Sequence, residues 1–480
     1  MKFSQIAPLF AFVLSAACAT SQPDYLRRAE ALHPAPADPA IVRALQSIHS
    51  SSIQQTIKTL VGFGTRSTLS SEEHDLPPGQ GIRAAADWIA GQFEEISHQC
   101  GGCLEVHRDT FVAGSSASGA RWGNRIPQPT ELTNVYAVLR GIDSGQSRRM
   151  VLVTGHYDSR NSNILDARGA APGANDDASG VAVSLECARA LSKLRFPATI
   201  VFVAVAGEEQ GLVGSAHLAR LARDEGWQLE AVLNNDIVGG NTTPGDTLQL
   251  KDRVRVFSEG VPDSADEAEL HRILALGKQN DSPSREVARA VAAAARTYLH
   301  ADAQSGFSAF LISRPDRYLR GGDHGSFNHE GFAAVRFTEW REDYNHQHHN
   351  VIIPPAGSSD PILGDLLRFV DFNYVERVAK LNAATLASLA AAPAAPQHLI
   401  LETKNLENST TLSWLPSPGA AHYNVVWRPT DAPDWQYVHD VAQQSAAGKI
   451  TVTLPISKDN VIFGVCAVDA KGHRSLVAVP

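Results

Sequence analysis

Three short apolar runs, residues 151–154, 199–206 and 231–233, show no alternation of apolar with polar positions, the pattern of strands buried on both faces. Each run hands over at its C-terminal end to histidine or carboxylate: His156 and Asp158 after the first, Glu208 and Glu209 after the second, Asp236 after the third. Residues 104–112, 133–139 and 332–338 read as further strands. Between them the period changes to 3.6. Ile82, Ala86, Ile89, Phe93 and Ile96 form one apolar stripe, and helical patterns also cover residues 41–60, 178–194, 217–225, 285–299 and the alanine-rich stretch 364–392. Strands alternating with helices predict an α/β fold with a mostly parallel central sheet and helices on both faces. In such sheets ligands gather at the C-terminal strand ends, so His156, Glu208, Glu209 and Asp236 are expected to converge.

The pattern fails in two places. Residues 241–284 are charged and punctuated by Gly and Pro, which predicts an insertion over the site with a short helix at 265–277. After the linker Ala392-Pro-Ala-Ala-Pro396, short alternating segments at 410–414, 422–427, 435–438, 450–454 and 462–468 predict an all-β sandwich over residues 397–480, separable from the main domain at 41–392. A chain of 480 residues is long enough for two cores.

The first 20 residues carry Lys2, an apolar stretch at 6–14 and small residues up to Ala17, a secretory signal too short to span a bilayer. Leu14-Ser-Ala-Ala-Cys18 resembles a bacterial lipobox, with Ser15 departing from the usual leucine. Membrane attachment through a lipidated Cys18 and plain cleavage nearby are the two readings. Both place the protein outside the cytoplasm, in the periplasm, the cell envelope or the medium, with the Ala- and Pro-rich residues 21–40 as a tether. An oxidising compartment allows Cys100 and Cys103 to close a small disulfide, while Cys187 and Cys466 fit buried, inert positions. The net charge of −9, with no lysine or arginine run, leaves no footprint for nucleic acid.

The residue types at the strand ends define a chemistry. Imidazole and carboxylate without thiolate suit Zn²⁺ in an open catalytic site, with Mn²⁺ or Co²⁺ as alternatives. Asp176, in the Gly-rich loop opening the helix at 178, is placed to bridge two ions. Asp158 can take the second ring N–H of His156. Consecutive Glu208 and Glu209 point apart, so that one can ligate while the other faces a water.

Gly155-His-Tyr-Asp-Ser159, Pro172-Gly-Ala-Asn-Asp-Asp-Ala-Ser-Gly180, Gly207-Glu-Glu-Gln-Gly-Leu-Val-Gly-Ser215 and Asn235-Asp236 resemble the co-catalytic zinc aminopeptidases related to bacterial leucyl aminopeptidase, transferrin receptor and glutamate carboxypeptidase II. The resemblance spans residues 54–389. It implies two zinc ions per chain, one on His156 and Asp236, the other on Glu209 and a late histidine, with Asp176 shared and Glu208 as general base. In Tyr344-Asn-His-Gln-His-His-Asn350 the late histidine is expected to be His346, with His348 and His349 as the other candidates. Gly322-Asp-His-Gly325 resembles the family's Ser-Asp-His segment with glycine in place of serine, and is expected to line the pocket. The implied activity is release of N-terminal residues from peptides with a free amino terminus. Alternatives on the same fold are a glutaminyl cyclase-like acyltransferase, which uses one zinc, a carboxypeptidase or dipeptidase, and an inactive binding protein. Residues 397–480 resemble a fibronectin type III module, with no partner implied.

Overall fold

A computed structural model of the chain describes residues 22–27, 29–114, 124–301, 303, 306–442 and 448–480. Residues 1–20, expected as a secretory signal, and with them Cys18, lie outside the described residues. In chain order the elements begin with β1 (Glu30–Ala31), α1 (Pro39–Gln46), α2 (Ser50–Gly62), α3 (Gly81–Gln99), β2 (Leu104–Ala113), β3 (Thr130–Leu139) and β4 (Arg149–His156). Next come α4 (Ala178–Leu191), β5 (Thr199–Val205), α5 (Val213–Asp224), β6 (Gln228–Asn235), β7 (Arg253–Ser258), α6 (Glu267–Leu276) and α7 (Pro283–Tyr298). The main domain ends with β8 (Ser308–Ile312), α8 (His324–His329), β9 (Ala334–Thr338) and α9 (Phe372–Ala391). The last six strands are β10 (Gln397–Leu401), β11 (Thr410–Leu415), β12 (His422–Pro429), β13 (Tyr437–Ala442), β14 (Ile450–Leu454) and β15 (Val461–Val468).

Eight strands form one sheet in the order β2-β3-β5-β4-β6-β9-β7-β8. Its inner four, β5, β4, β6 and β9, run parallel, as their uninterrupted apolar runs predict. Successive side chains serve opposite faces. Val151 and Val153 join the core beneath α2, α3, α4, α7 and α9, whereas Leu152 packs with Leu218, Ala219 and Phe327 of α5 and α8. The parallel strands therefore end together at one edge, with helices covering both sides.

The outer strands correct the expectation for 241–284. Only part of that stretch is an insertion, because β7 enters the sheet, antiparallel to β9 and parallel to β8. In Arg253-Val-Arg-Val-Phe-Ser258 the valines are buried and the two arginines half-buried, an alternation of faces that the surrounding charge obscures. The periodicity at 41–60 resolves into two helices. Asp38 caps the first by accepting from Ala40 N at 2.7 Å. The closing helix starts at Phe372 rather than at 364, where Asp371 accepts from Asn373 N and Tyr374 N. Cys100 and Cys103 form a disulfide, and Cys187 and Cys466 are buried and free. Among the described residues no helix is long and apolar enough to cross a membrane.

The C-terminal strands form two antiparallel sheets, β10-β11-β14 and β13-β12-β15, around Trp414, Tyr423, Trp427 and Phe463. Within the stretch 21–40, expected as a tether, Asp24, Tyr25 and β1 instead join this sandwich. β1 pairs with β13, Trp427 Nε1 donates to Tyr25 O at 3.2 Å, and Ser457 N donates to Asp24 Oδ2 at 2.8 Å. The sandwich is likewise no free module. Arg428, 1% exposed, reaches Asp281 Oδ1 at 2.6 Å, an oxygen shared with Arg289 at 3.2 Å. Trp435 Nε1 donates to Glu286 Oε2 at 3.0 Å, and Arg289 Nε donates to Pro433 O at 3.0 Å. Burying such charges is tolerable only while all partners are present.

Asp281→Ala should therefore leave two buried arginines short of a partner and lower unfolding stability by roughly 3–5 kcal/mol, read from urea denaturation. Deleting residues 394–480 should give a chain that does not fold stably. A change under about 0.5 kcal/mol for Asp281→Ala would mark the sandwich as an appendage.

Candidate metal centre

The ends of β4, β5 and β6 deliver His156, the Glu208-Glu209 turn and Asp236 to one edge of the sheet. Asp176 comes from the loop before α4, and His348 from the loop after β9. His156 Nε2 lies 3.0 Å from Asp176 Oδ1 and 3.9 Å from Asp236 Oδ1. His348 Nε2 lies 3.1 Å from Asp176 Oδ2 and 3.2 Å from Glu209 Oε1. Two groups of donors result, His156 with Asp176 and Asp236, and Asp176 with Glu209 and His348. Asp176 belongs to both and turns a different oxygen to each. His156 Nε2 and Glu209 Oε1 are buried without a hydrogen bond, although buried polar atoms normally find one. Imidazole and carboxylate atoms converging in this way fit a metal ion in each group.

The structure brings His156, Asp176, Glu209 and Asp236 together, and the late histidine that joins them is His348 rather than the expected His346. His346 stacks on Phe369 at 3.8 Å between ring centroids, and its Nε2 is 3.7 Å from Asp343 Oδ2. It touches none of the clustered carboxylates. His348 takes the left-handed backbone conformation, φ 56°, and it is this ring that faces Asp176 and Glu209. Burial opposes a charge on His348, yet Glu209 and Asp176 outweigh it and push the imidazole up to about 10. A metal would replace that proton. His349 is half-exposed and belongs to neither group, and Asn350 hydrogen-bonds to Ser162 instead of orienting a ligand.

Asp158 does more than expected. His156 Nδ1 lies 3.2 Å from the Asp158 carbonyl oxygen and 3.4 Å from its Oδ1, which places the ring proton on Nδ1 and leaves Nε2 free to ligate. The same carboxylate accepts from Glu208 N and Glu209 N, each at 3.1 Å, and from Thr68 Oγ1 at 3.0 Å. One side chain thus fixes both the histidine and the acidic turn. Enclosure raises the Glu208 carboxyl well above the usual range, reinforced by Asp236 and Glu209 against the opposing pull of His156.

Three supports escaped the sequence reading. Arg66, fully buried, donates to Tyr157 O at 2.6 Å, Pro172 O at 2.7 Å and Gly173 O at 2.8 Å, tying the His156 loop to the Asp176 loop. Asp365 accepts from Asp176 N at 2.7 Å and from Asn175 N at 2.9 Å, and burial pushes its own carboxyl up to about 7. Arg336 meets Asp236 at 2.9 Å. Only Arg336 left a sequence signal, a charge inside the buried run Ala334-Val-Arg-Phe-Thr338. The glycines of the motifs are explained by close approach: a Cβ on Gly180 would sit 2.2 Å from Asn235 O, and one on Gly155 would sit 2.5 Å from Gly180 C. That contact lets α4 rest on the strand ends, where Asp177 caps it and accepts from His156 N at 3.0 Å.

Residues 134–353 match the model of the family described as Peptidase family M28. A protein named probable zinc metalloprotease from Pyricularia oryzae is 42% identical over 92% of this chain and 84% of its own length. Another from Leptosphaeria maculans is 40% identical over 94% of this chain and 98% of its own. Among solved structures, the LapA aminopeptidase of Legionella pneumophila aligns with 76% of this chain and 78% of its own at 20% identity and a TM-score of 0.49. With its metal-binding edge assembled from the matched segment and relatives alike along nearly their whole length, this chain belongs to peptidase family M28.

Proposed function

We propose that the protein is an exported metallo-aminopeptidase that holds two zinc ions and removes residues from the free amino termini of peptides. The observation that carries this reading is Asp176 turning one oxygen to each donor group, which gives two ions three protein ligands apiece. Zinc is supported by the donor set, rich in imidazole and carboxylate and free of thiolate, and by the names of the relatives. Held by these residues, zinc would supply Lewis acidity, lowering the pKa of a bound water and polarising a carbonyl.

The chain's own residues do the rest. Glu208 takes a proton from the water and returns it to the leaving amine, a task suited to a carboxyl that burial raises above its ordinary range. Asp158 keeps Glu208 in place through the backbone and holds His156 in its ligating tautomer. A cyclase would have no use for the second donor group. Export rests on the leader at residues 1–20 and accords with the Cys100–Cys103 disulfide.

Glu208→Gln should keep both metals and lose at least ~10²-fold in kcat on aminoacyl substrates. Metal analysis and kinetics on one preparation check this, and full activity would reverse the roles of Glu208 and Glu209. His348→Ala should lose one metal and most activity, while His346→Ala retains both metals. The opposite ranking would refute the ligand assignment made from geometry. Chelation should abolish hydrolysis and added Zn²⁺ restore it. Purified protein that converts N-terminal glutamine to pyroglutamate and leaves aminoacyl substrates intact would sink the aminopeptidase reading.

A further inference from the structure

Position 322, where the resembled family carries serine, is a buried glycine whose backbone is not left-handed. Conformation therefore does not require glycine there. Space does. A Cβ at 322 would lie 2.5 Å from Arg336 Nη1 and 3.3 Å from Asp236 Oδ2. The volume beside the Asp236 carboxylate admits one neighbour, and the arginine of β9 holds it.

Arg336 is 0% exposed. β9 lies parallel to β6, with Arg336 opposite Asn234, so its guanidinium reaches the residue just past the end of β6. Nη2 stands 2.9 Å from Asp236 Oδ1, and Nη1 donates to Gly321 O at 2.7 Å and lies 3.2 Å from Asp316 Oδ2. The planar fork is thus anchored on two sides before it meets Asp236.

Building on the two-metal reading, we infer that Arg336 and Gly322 form a unit that positions Asp236 as a ligand for the metal it shares with His156. Arg336 is a positioning residue, since it touches neither substrate nor the reacting atoms. Two opposed effects have to be weighed. A cation beside a ligand oxygen competes with the metal for that oxygen, whereas a fixed fork keeps the carboxylate aimed at it. Asp316 already balances much of the guanidinium charge, so orientation wins. Partners that orient a metal ligand from behind typically contribute ~10–100-fold in metal affinity.

The test is zinc bound per chain against free zinc set by chelator buffers, for the wild type, Arg336→Met, Arg336→Lys, Gly322→Ser and the double variant Gly322→Ser/Arg336→Met. The wild type should bind two ions. One ion at saturation would instead overturn the two-metal reading, a failure separate from any behaviour of the variants. Arg336→Met and Gly322→Ser should each weaken one ion by ~10–100-fold and leave the other at wild-type affinity, with Arg336→Lys in between. The double variant should be no worse than Gly322→Ser alone, because both changes remove the same contact. Should Arg336→Met fail to fold, Gly322→Ser still decides the matter, since it keeps the arginine and only displaces it. Wild-type affinity for both ions in Gly322→Ser, or equal weakening of both, would overturn the inference.

Discussion

Asp176 has to serve two groups of donors at once, and most of what surrounds it keeps that single carboxylate still. The sheet edge collects Asp158, Asp176, Asp177, Glu208, Glu209, Asp236 and Asp323 in a small volume, where like charges repel strongly unless each is held by donors. Backbone N–H groups supply much of the holding. Asp365 accepts from the amides of residues 175 and 176, Asp177 from those of 156 and 180, and Asp158 from those of 208 and 209. Arg66 and Arg336 add permanent positive charge from opposite sides of the motif set. An acidic cradle without cations inside is otherwise a costly thing to fold, and metal binding then becomes part of the folded state's stability.

The parallel core and its helices were legible because burial on both faces leaves uninterrupted apolar runs, as at Val151-Leu-Val and Thr199-Ile-Val-Phe-Val-Ala-Val205. β7 was not, because one face of this outer strand keeps Arg253 and Arg255 half-buried, so that it resembles a charged loop. Four of the five expected ligands stand in the two donor groups because each follows a strand or opens a helix whose position the periodicity fixes. The late histidine lies in an irregular turn, with residue 348 in the left-handed region, and no spacing rule says which of three candidates faces the carboxylates. Arg66 and Asp365 act through main-chain atoms of distant loops, contacts that leave no pattern in the chain.

The sandwich illustrates a different gap between composition and structure. Its strands and its linker are plain in the sequence, yet Arg428, Asp281, Arg289, Glu286 and Trp435 join the two cores through buried charge and hydrogen bonds. A cavity of about 380 Å³ remains where α7, α9, residues 32–36 and the sandwich meet. The segment that read as a tether forms one wall of it, so three pieces of chain with independent sequence signatures share a single boundary.

The pairing of β1 with β13 bears on the order of events during synthesis. Tyr25 and its partner Trp427 are 402 residues apart, so the segment around Tyr25 and β1 lacks these partners until the last strands exist. Closing so long a loop is entropically slow, and contacts of this range form late. The catalytic core can collapse earlier, but the seal between the two cores closes last, after the C-terminal strands have emerged. Until then the chain presents an unpaired strand edge on β13 and the unmet charges of α7, and is at its most vulnerable to proteases and to mispairing with its neighbours.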